Sequence, residues 1–152
     1  AIAREVERTL WTQRANGNES EMPFYGCAGA LWVIDPGWYV PYGSYCYWAP
    51  AYAEWQRTGG QGGMEPPDLI KEIIDWYDQL KSEPDPAARD ELASKILQRH
   101  NEEVFHIGTC RVFLDPGLAK KDLVNYLPIG LSDWRVHRDA INWPFQVWWR
   151  KS

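Results

Sequence analysis

Apolar and polar residues follow a helical period in the middle of the chain. In the segment DLIKEIIDWYDQLKS, from Asp68 to Ser82, apolar side chains recur every three or four positions. This spacing is typical of one face of an amphipathic helix. The stripe consists of Leu69, Ile70, Ile73, Ile74, Tyr77 and Leu80. The sequence therefore predicts a helix over Asp68–Ser82 that buries this stripe against the rest of the protein.

A second helix is predicted over Pro86–Glu103. Asp85 followed by Pro86 is the usual order of an N-cap and a first helical residue. Glu91 and Lys95 have the spacing of an exposed ion pair on such a helix. The inner stripe of this helix is predicted to be Ala88, Leu92 and Ile96. The two helices are expected to pack side by side.

Two short strands complete the predicted fold. β-Branched and aromatic residues around GALWVI predict a strand over Cys27–Ile34, which the turn sequence Asp35-Pro36-Gly37 ends. A further strand is predicted over Val104–Phe113, and the opening stretch AIAREVERTLWTQRANG predicts an amphipathic helix. Helices packed on strands give an α/β unit.

The segment from Met22 to Ala53 is apolar but is not a membrane span. Four prolines and four glycines interrupt it, and a spanning helix needs an internally satisfied backbone. Its one formal charge is Asp35. The region after Asp35, here called the aromatic segment, contains eight aromatic residues: Trp38, Tyr39, Tyr42, Tyr45, Tyr47, Trp48, Tyr52 and Trp55. Such rings fill a core or stack against a ligand equally well, and both interpretations stay open.

Charge and motif content favour a binding protein over an enzyme. The net charge is −5, and the basic residues are scattered, which argues against nucleic acid and anionic membranes as partners. No nucleophile motif or metal-ligand spacing is present, so we expect no catalysis, cofactor or metal. The histidines are expected at the surface or in a strand. The three cysteines are interpreted as small buried thiols, with a Cys27–Cys46 disulfide as the alternative.

Motifs between Trp32 and Asn125 carry a family resemblance. They are W-x-x-D at the end of the first predicted strand, the aromatic SYCYWAPAYAEW, the stretch from GGQGGMEPP to EEVFHIGT, and LVNYLP. The D-P-A-A-R-D-E-L helix start followed by EEVFHIGT is the most specific part. Together they resemble the C-terminal part of the family 5 extracellular solute-binding proteins, which are peptide, nickel and oligosaccharide receptors of bacterial ABC transporters.

The resemblance implies a fragment of a two-lobed periplasmic-binding-protein-like (type II) α/β fold, with a mixed sheet and packed helices. Residues 1–106 would belong to the second lobe, and residues 107–152 would return toward the first. The intact receptor would bind a peptide or oligosaccharide in the cleft between the lobes. It would deliver the solute to ABC permease subunits from a periplasmic or extracellular, membrane-associated position.

The resemblance also suggests site residues. In peptide-binding members the aspartate of the W-x-x-D stretch faces the cleft and pairs with the ligand's α-amino group, and Asp35 holds that position here. A role confined to the turn is the alternative for Asp35. The expected ligand-binding residues are Trp32, Asp35, Trp38, Tyr39, Tyr45 and Trp48.

The aromatic content departs from the peptide binders and suits sugar rings as well. The alternative function is therefore an aromatic-rich carbohydrate-binding module or a glycosidase fragment. If the chain holds half of a receptor site, it should bind solute weakly by itself. It should also cover its exposed apolar faces by forming a homo-oligomer.

Overall fold

The computed structural model describes residues 5–20, 22–25, 32–43 and 45–109, together with strand residues 123–124 and 149–150. The chain divides into two compact units. One comprises Ala1–Cys27 and Trp32–Ile107, and the other comprises Ala28–Leu31 and Gly108–Ser152.

The described part of the first unit is helical. Its helices are α1 (Arg8–Asn16), α2 (Pro50–Thr58), α3 (Asp68–Ser82) and α4 (Pro86–Glu103), with a 3₁₀ turn at Pro36–Trp38 before α2. Helices α3 and α4 pack against each other. In the second unit, β1 (Leu123–Val124) pairs antiparallel with β2 (Trp149–Arg150).

Helices α3 and α4 begin and end where the sequence predicts. The Asp85 carboxylate accepts hydrogen bonds from the backbone N–H groups of Ala87 and Ala88, so it caps α4 as expected. The exposed pair of Glu91 and Lys95 also forms, with 3.3 Å between charged atoms. Capping and periodicity are local properties of the sequence, which is why both helices were predictable.

The core lies between these helices and the aromatic segment. It consists of Val40, Ile70, Ile73, Ile74, Tyr77 and Ile96, with Ile73, Ile96 and Val40 wholly inaccessible to solvent. Five residues of the α3 stripe are buried and Leu69 is half-buried. On α4, Ile96 is fully buried while Ala88 and Leu92 are half-buried. The predicted stripes therefore face the core, with α4 turned partly toward solvent.

Helix α2 was not predicted by the sequence pattern. Helix α2 starts at Pro50, a residue suited to a first helical position, and ends at Gly59 in the left-handed conformation (φ 62°). The chain then turns back on α2, and the Met64 N–H donates to the Ala51 carbonyl. A Cβ at Gly63 would collide with that carbonyl oxygen, so the turn requires glycine there.

The predicted mixed α/β fold is wrong. Within the strand predicted over Cys27–Ile34, residues 32–34 form a turn, and residues 27–31 lie outside the described residues. Of the strand predicted over Val104–Phe113, Val104 is the C-cap of α4 and residues 105–109 pair with no strand in the described part; residues 110–113 lie outside it. A strand needs a hydrogen-bonded neighbour, and the described residues contain a single two-residue pairing. The described part of the first unit is therefore helical, and it does not contain the mixed sheet predicted for a type II receptor lobe.

Cys46 is a buried free thiol, as the first interpretation of the cysteines expected. Burial raises its pKa to about 12, although neighbouring backbone N–H groups oppose this effect. The thiol is therefore protonated and unreactive at neutral pH. Cys27 and Cys110 lie outside the described residues.

Candidate functional site

The turn after Asp35 folds the aromatic segment onto itself. The backbone N–H groups of Tyr39 and Val40 both donate to the Pro36 carbonyl at 2.8 Å. Gly37 is buried, and a Cβ there would lie 3.2 Å from the Tyr42 carbonyl oxygen. The Trp48 indole N–H donates to the Gly37 carbonyl at 3.3 Å. These contacts fix where the rings on either side of the turn lie.

One group of rings, here called the inner aromatic cluster, packs on the core. Its members are Trp32, Tyr39, Trp48, His100, Phe105 and His106. Trp48 stacks on Phe105 with ring centroids 5.0 Å apart, and Trp32 meets Tyr39 edge-on at 5.3 Å. Four of the members, Trp32, Tyr39, Trp48 and Phe105, pack against the buried core residues. This cluster therefore contributes to holding α3 and α4 against the aromatic segment.

Two histidines form the polar centre of the inner aromatic cluster. His100 is 4% exposed and contacts the Tyr39 carbonyl oxygen through Nε2 at 2.6 Å. Its Nδ1 lies 3.1 Å from the Nδ1 of His106. Because a carbonyl can only accept, Nε2 of His100 carries the hydrogen, and in the neutral pair His106 donates from Nδ1 to Nδ1 of His100. The expectation of a surface or strand histidine is wrong for His100.

Burial keeps this pair neutral. Desolvation lowers the pKa of His100 from its ordinary 6.5 to about 4, with the Tyr39 carbonyl opposing the shift and His106 adding to it. Desolvation also lowers the pKa of His106. The described residues contain no group of three or more His, Cys, Asp or Glu side chains that could hold a metal ion. The histidine pair is therefore a structural hydrogen-bonded unit at neutral pH.

A second group of rings, here called the outer aromatic cluster, joins α1 to the aromatic segment. Its members are Trp11, Tyr25, Trp38, Tyr45 and Tyr47. Trp11 stacks on Tyr25 with centroids 4.5 Å apart, and Tyr25 lies within 11° of parallel to Trp38 at 6.1 Å. The Arg8 guanidinium lies 6.0 Å from the centre of the Tyr25 ring and donates to its hydroxyl at 3.0 Å. The result is a set of rings with a cation at its edge.

The outer aromatic cluster is open to solvent. Tyr25 is 42% exposed and Tyr45 is 41% exposed, and none of the five rings is among the described side chains that pack against the core. Partial burial raises the pKa of Tyr47, helped by the neighbouring Tyr25 and Tyr45. The Tyr47 hydroxyl therefore stays protonated at neutral pH. Such rings can stack against the apolar faces of sugars or side chains, while Arg8 and the hydroxyls supply polar contacts.

Five of the six site residues predicted from the sequence lie in these clusters, and Asp35 lies in the turn beside them. Trp38 and Tyr45 lie in the outer aromatic cluster, and Trp32, Tyr39 and Trp48 lie in the inner one. Asp35 is half-buried at the N-cap position of the 3₁₀ turn, and its carboxylate makes no capping hydrogen bond to that turn.

Sequence reasoning missed Trp11, Tyr25 and the neighbouring Arg8, because they lie far in the sequence from the aromatic segment that they contact. It also left Tyr47 out of the site residues, although the aromatic density of the segment was an available signal for it.

No protein-family model, curated protein or solved structure matches the chain. None of the helices in the described ranges has the length and apolar content needed to cross a membrane.

Proposed function

We propose that this chain is the C-terminal part of a solute-binding receptor, and that its outer aromatic cluster forms one wall of the site for a peptide or oligosaccharide. The observation that carries the proposal is the cluster itself: five rings in mutual contact, partly exposed, outside the hydrophobic core. These rings join α1 to the aromatic segment, yet Tyr25 and Tyr45 leave about two fifths of their surface exposed, where a ligand can stack.

The family resemblance supports the same proposal. Its most specific segment, the D-P-A-A-R-D-E-L helix start, contains the Asp85 cap that begins α4. Its W-x-x-D stretch ends at Asp35, three residues before Trp38. A half-buried carboxylate close in sequence to stacking rings suits a ligand with both a cation and an apolar body. The proposed partners are therefore a small solute and, in the intact receptor, ABC permease subunits in a periplasmic or extracellular setting.

A second candidate, a carbohydrate-binding module, is favoured by ring orientation. Tyr25 and Trp38 are nearly parallel, with an interplanar angle of 11°. The solvent-facing surface of such a stack, where Tyr25 is 42% exposed, suits the apolar face of a sugar ring. The two candidates differ in ligand preference, since the module would bind extended neutral oligosaccharides without binding peptides.

The test is saturation-transfer NMR on the whole chain with separate pools of short peptides and neutral oligosaccharides. We expect saturable binding weaker than micromolar, because part of an enclosed site buries less of the ligand. Trp38→Ala should weaken this binding about tenfold, the loss of one good aromatic contact. Trp55→Ala is the matched control: Trp55 lies in α2, outside both clusters, and should leave binding unchanged.

Three outcomes would contradict the receptor proposal. The first is a folded chain that binds neither pool at millimolar ligand, and the second is equal affinity in Trp38→Ala and the unaltered chain. The third is micromolar or tighter binding by a monomer, since such a chain would hold a complete site. Light scattering run beside the titration gives the oligomeric state, for which we expect a homodimer or larger assembly.

A further inference from the structure

A cavity of about 290 Å³, open to solvent on one side, lies where the start of α2, the start of α3 and the end of α4 meet. Its lining residues are Trp48, Ala49, Tyr52, Pro67, Leu69, Ile70, Glu103 and Phe105. The volume falls near the lower end of the range for small-molecule sites, so it suits a compact ligand. No residue of the outer aromatic cluster lines the cavity, so a ligand here would be independent of the solute proposed for that cluster.

The walls combine aromatic rings with a single carboxylate. Trp48 is held by its hydrogen bond to Gly37 and by stacking on Phe105, so two of the rings have fixed positions. Tyr52 adds a third ring, and Glu103 is the one charged residue of the lining. Aromatic faces attract cations through their quadrupoles, and a carboxylate at the same cavity adds direct charge complementarity.

Glu103 has no evident role in holding the helix. It is the last residue of α4, where the partial negative charge of the helix end disfavours a carboxylate. Its neighbour Glu102 bonds to Arg99 and Gln98, whereas Glu103 forms no hydrogen bond or ion pair within the described part of the chain. A carboxylate that costs helix stability and borders an aromatic cavity is well placed to meet a cation.

We propose that this cavity binds a small organic ammonium ion, with its apolar body against Trp48, Tyr52 and Phe105 and its charged nitrogen toward Glu103. Leu69 and Ile70 close the apolar side of the cavity. An alkyl or arylalkyl ammonium satisfies all of these groups at once, whereas a neutral isostere leaves Glu103 without its counter-ion.

The test compares 2-phenylethylammonium with 2-phenylethanol, its neutral analogue, in a titration of the ¹⁵N-labelled chain. We expect the Trp48 indole N–H signal to shift with both ligands and the ammonium ion to bind about tenfold more tightly or better. Glu103→Gln should remove most of that preference. Asp90→Asn is the control, because Asp90 is an exposed carboxylate on the same helix that lies away from the cavity.

Leu69→Trp is a second variant. Its larger side chain should fill the cavity and abolish binding of both ligands. Circular dichroism shows whether this variant keeps the fold. Equal affinity for the ammonium ion and the alcohol would overturn the proposal. An unchanged preference in Glu103→Gln, or binding that survives in Leu69→Trp, would also overturn it.

Discussion

The two aromatic clusters use the same residue types for different purposes. In the inner aromatic cluster, Trp48 and Tyr39 are tied to the backbone or to a histidine pair and pack on the core. In the outer aromatic cluster, Trp38 and Tyr45 contact other rings at a surface open to solvent. Tryptophan and tyrosine content alone therefore does not tell a core from a binding surface, because burial and backbone contacts decide the difference.

This contrast predicts how much stability the protein loses when a ring is removed from each cluster. Removing an inner ring takes buried area and dispersion contacts from the fold, while removing an outer ring takes a contact between partly solvated rings. The loss of stability is therefore expected to be largest in the core, smaller in the inner aromatic cluster and smallest in the outer one. A substitution that departs from this order would contradict the distinction between the clusters.

The largest loss of stability is expected from Ile96→Ala, which empties a fully buried position beneath the inner aromatic cluster. The free energy of unfolding should fall by about 2–5 kcal/mol in urea melts, the range for a buried aliphatic side chain cut to alanine. Leu92→Ala, on the same helix but half-buried, is the control and should cost less. Equal losses in the two variants would mean that the inner face of α4 is assigned wrongly.

The second prediction compares two half-buried tryptophans directly. Trp48→Ala should lower the free energy of unfolding by ~3 kcal/mol, since it removes a core contact and a hydrogen bond to Gly37. Trp38→Ala should cost about 1 kcal/mol, the value of an aromatic pair at the surface. Denaturant melts of both variants measure the difference. A loss for Trp38→Ala as large as that for Trp48→Ala would abolish the distinction between the clusters.

The third prediction concerns acid. Desolvation lowers the folded-state pKa of His100 to about 4, whereas the unfolded chain titrates near 6.5. The unfolded state therefore binds more protons between these values, and stability is present above pH 6.5 and falls as the pH drops toward 4. The full shift corresponds to about 3 kcal/mol, and solvent screening reduces the expected loss to ~2 kcal/mol.

Thermal melts between pH 4 and pH 7 measure this dependence. His100→Gln keeps a donor for the Tyr39 carbonyl but does not titrate, so its stability should change less over the same interval. A variant with the same pH dependence as the unaltered chain would show that other groups cause it.

The smallest effect on stability is expected at the turn. Asp35→Ala should change the free energy of unfolding by no more than about 0.5 kcal/mol, because the substitution removes no ring or aliphatic side chain from the core. The same substitution should weaken solute binding if Asp35 faces the ligand. A large loss of stability with unaltered affinity would instead support the turn role.

Structural features that depend on neighbouring residues could be predicted from the sequence. Features that depend on residues far apart in the chain could not. The α3 and α4 boundaries follow from periodicity and from the Asp85 cap, which involve neighbouring residues. Strands require partners that local propensity does not supply, and the segment near Val33 became a turn whose carbonyl accepts from the Tyr77 hydroxyl. The sequence therefore predicted which apolar residues form the α3 stripe, but it did not predict which residues the segment near Val33 contacts.

The candidate site shows the same limit. Trp38 and Tyr45 were chosen from the aromatic density of the segment, and they contact other members of the outer aromatic cluster. Trp11 and Arg8 reach that cluster from α1, and His100 reaches Tyr39 across 61 residues. No sequence motif encodes these contacts, because tertiary packing creates them.

The most direct test of the two-cluster account is ¹⁹F NMR of the chain labelled with 5-fluorotryptophan, with single Trp→Phe variants assigning the signals. The titrant is the peptide or oligosaccharide that binds best. If the outer aromatic cluster is the binding surface, the Trp38 and Trp11 signals should shift with a common binding curve while the Trp32 signal stays in place. A shift of Trp32 with Trp11 and Trp38 unmoved would contradict it, since the ligand would then contact the inner aromatic cluster.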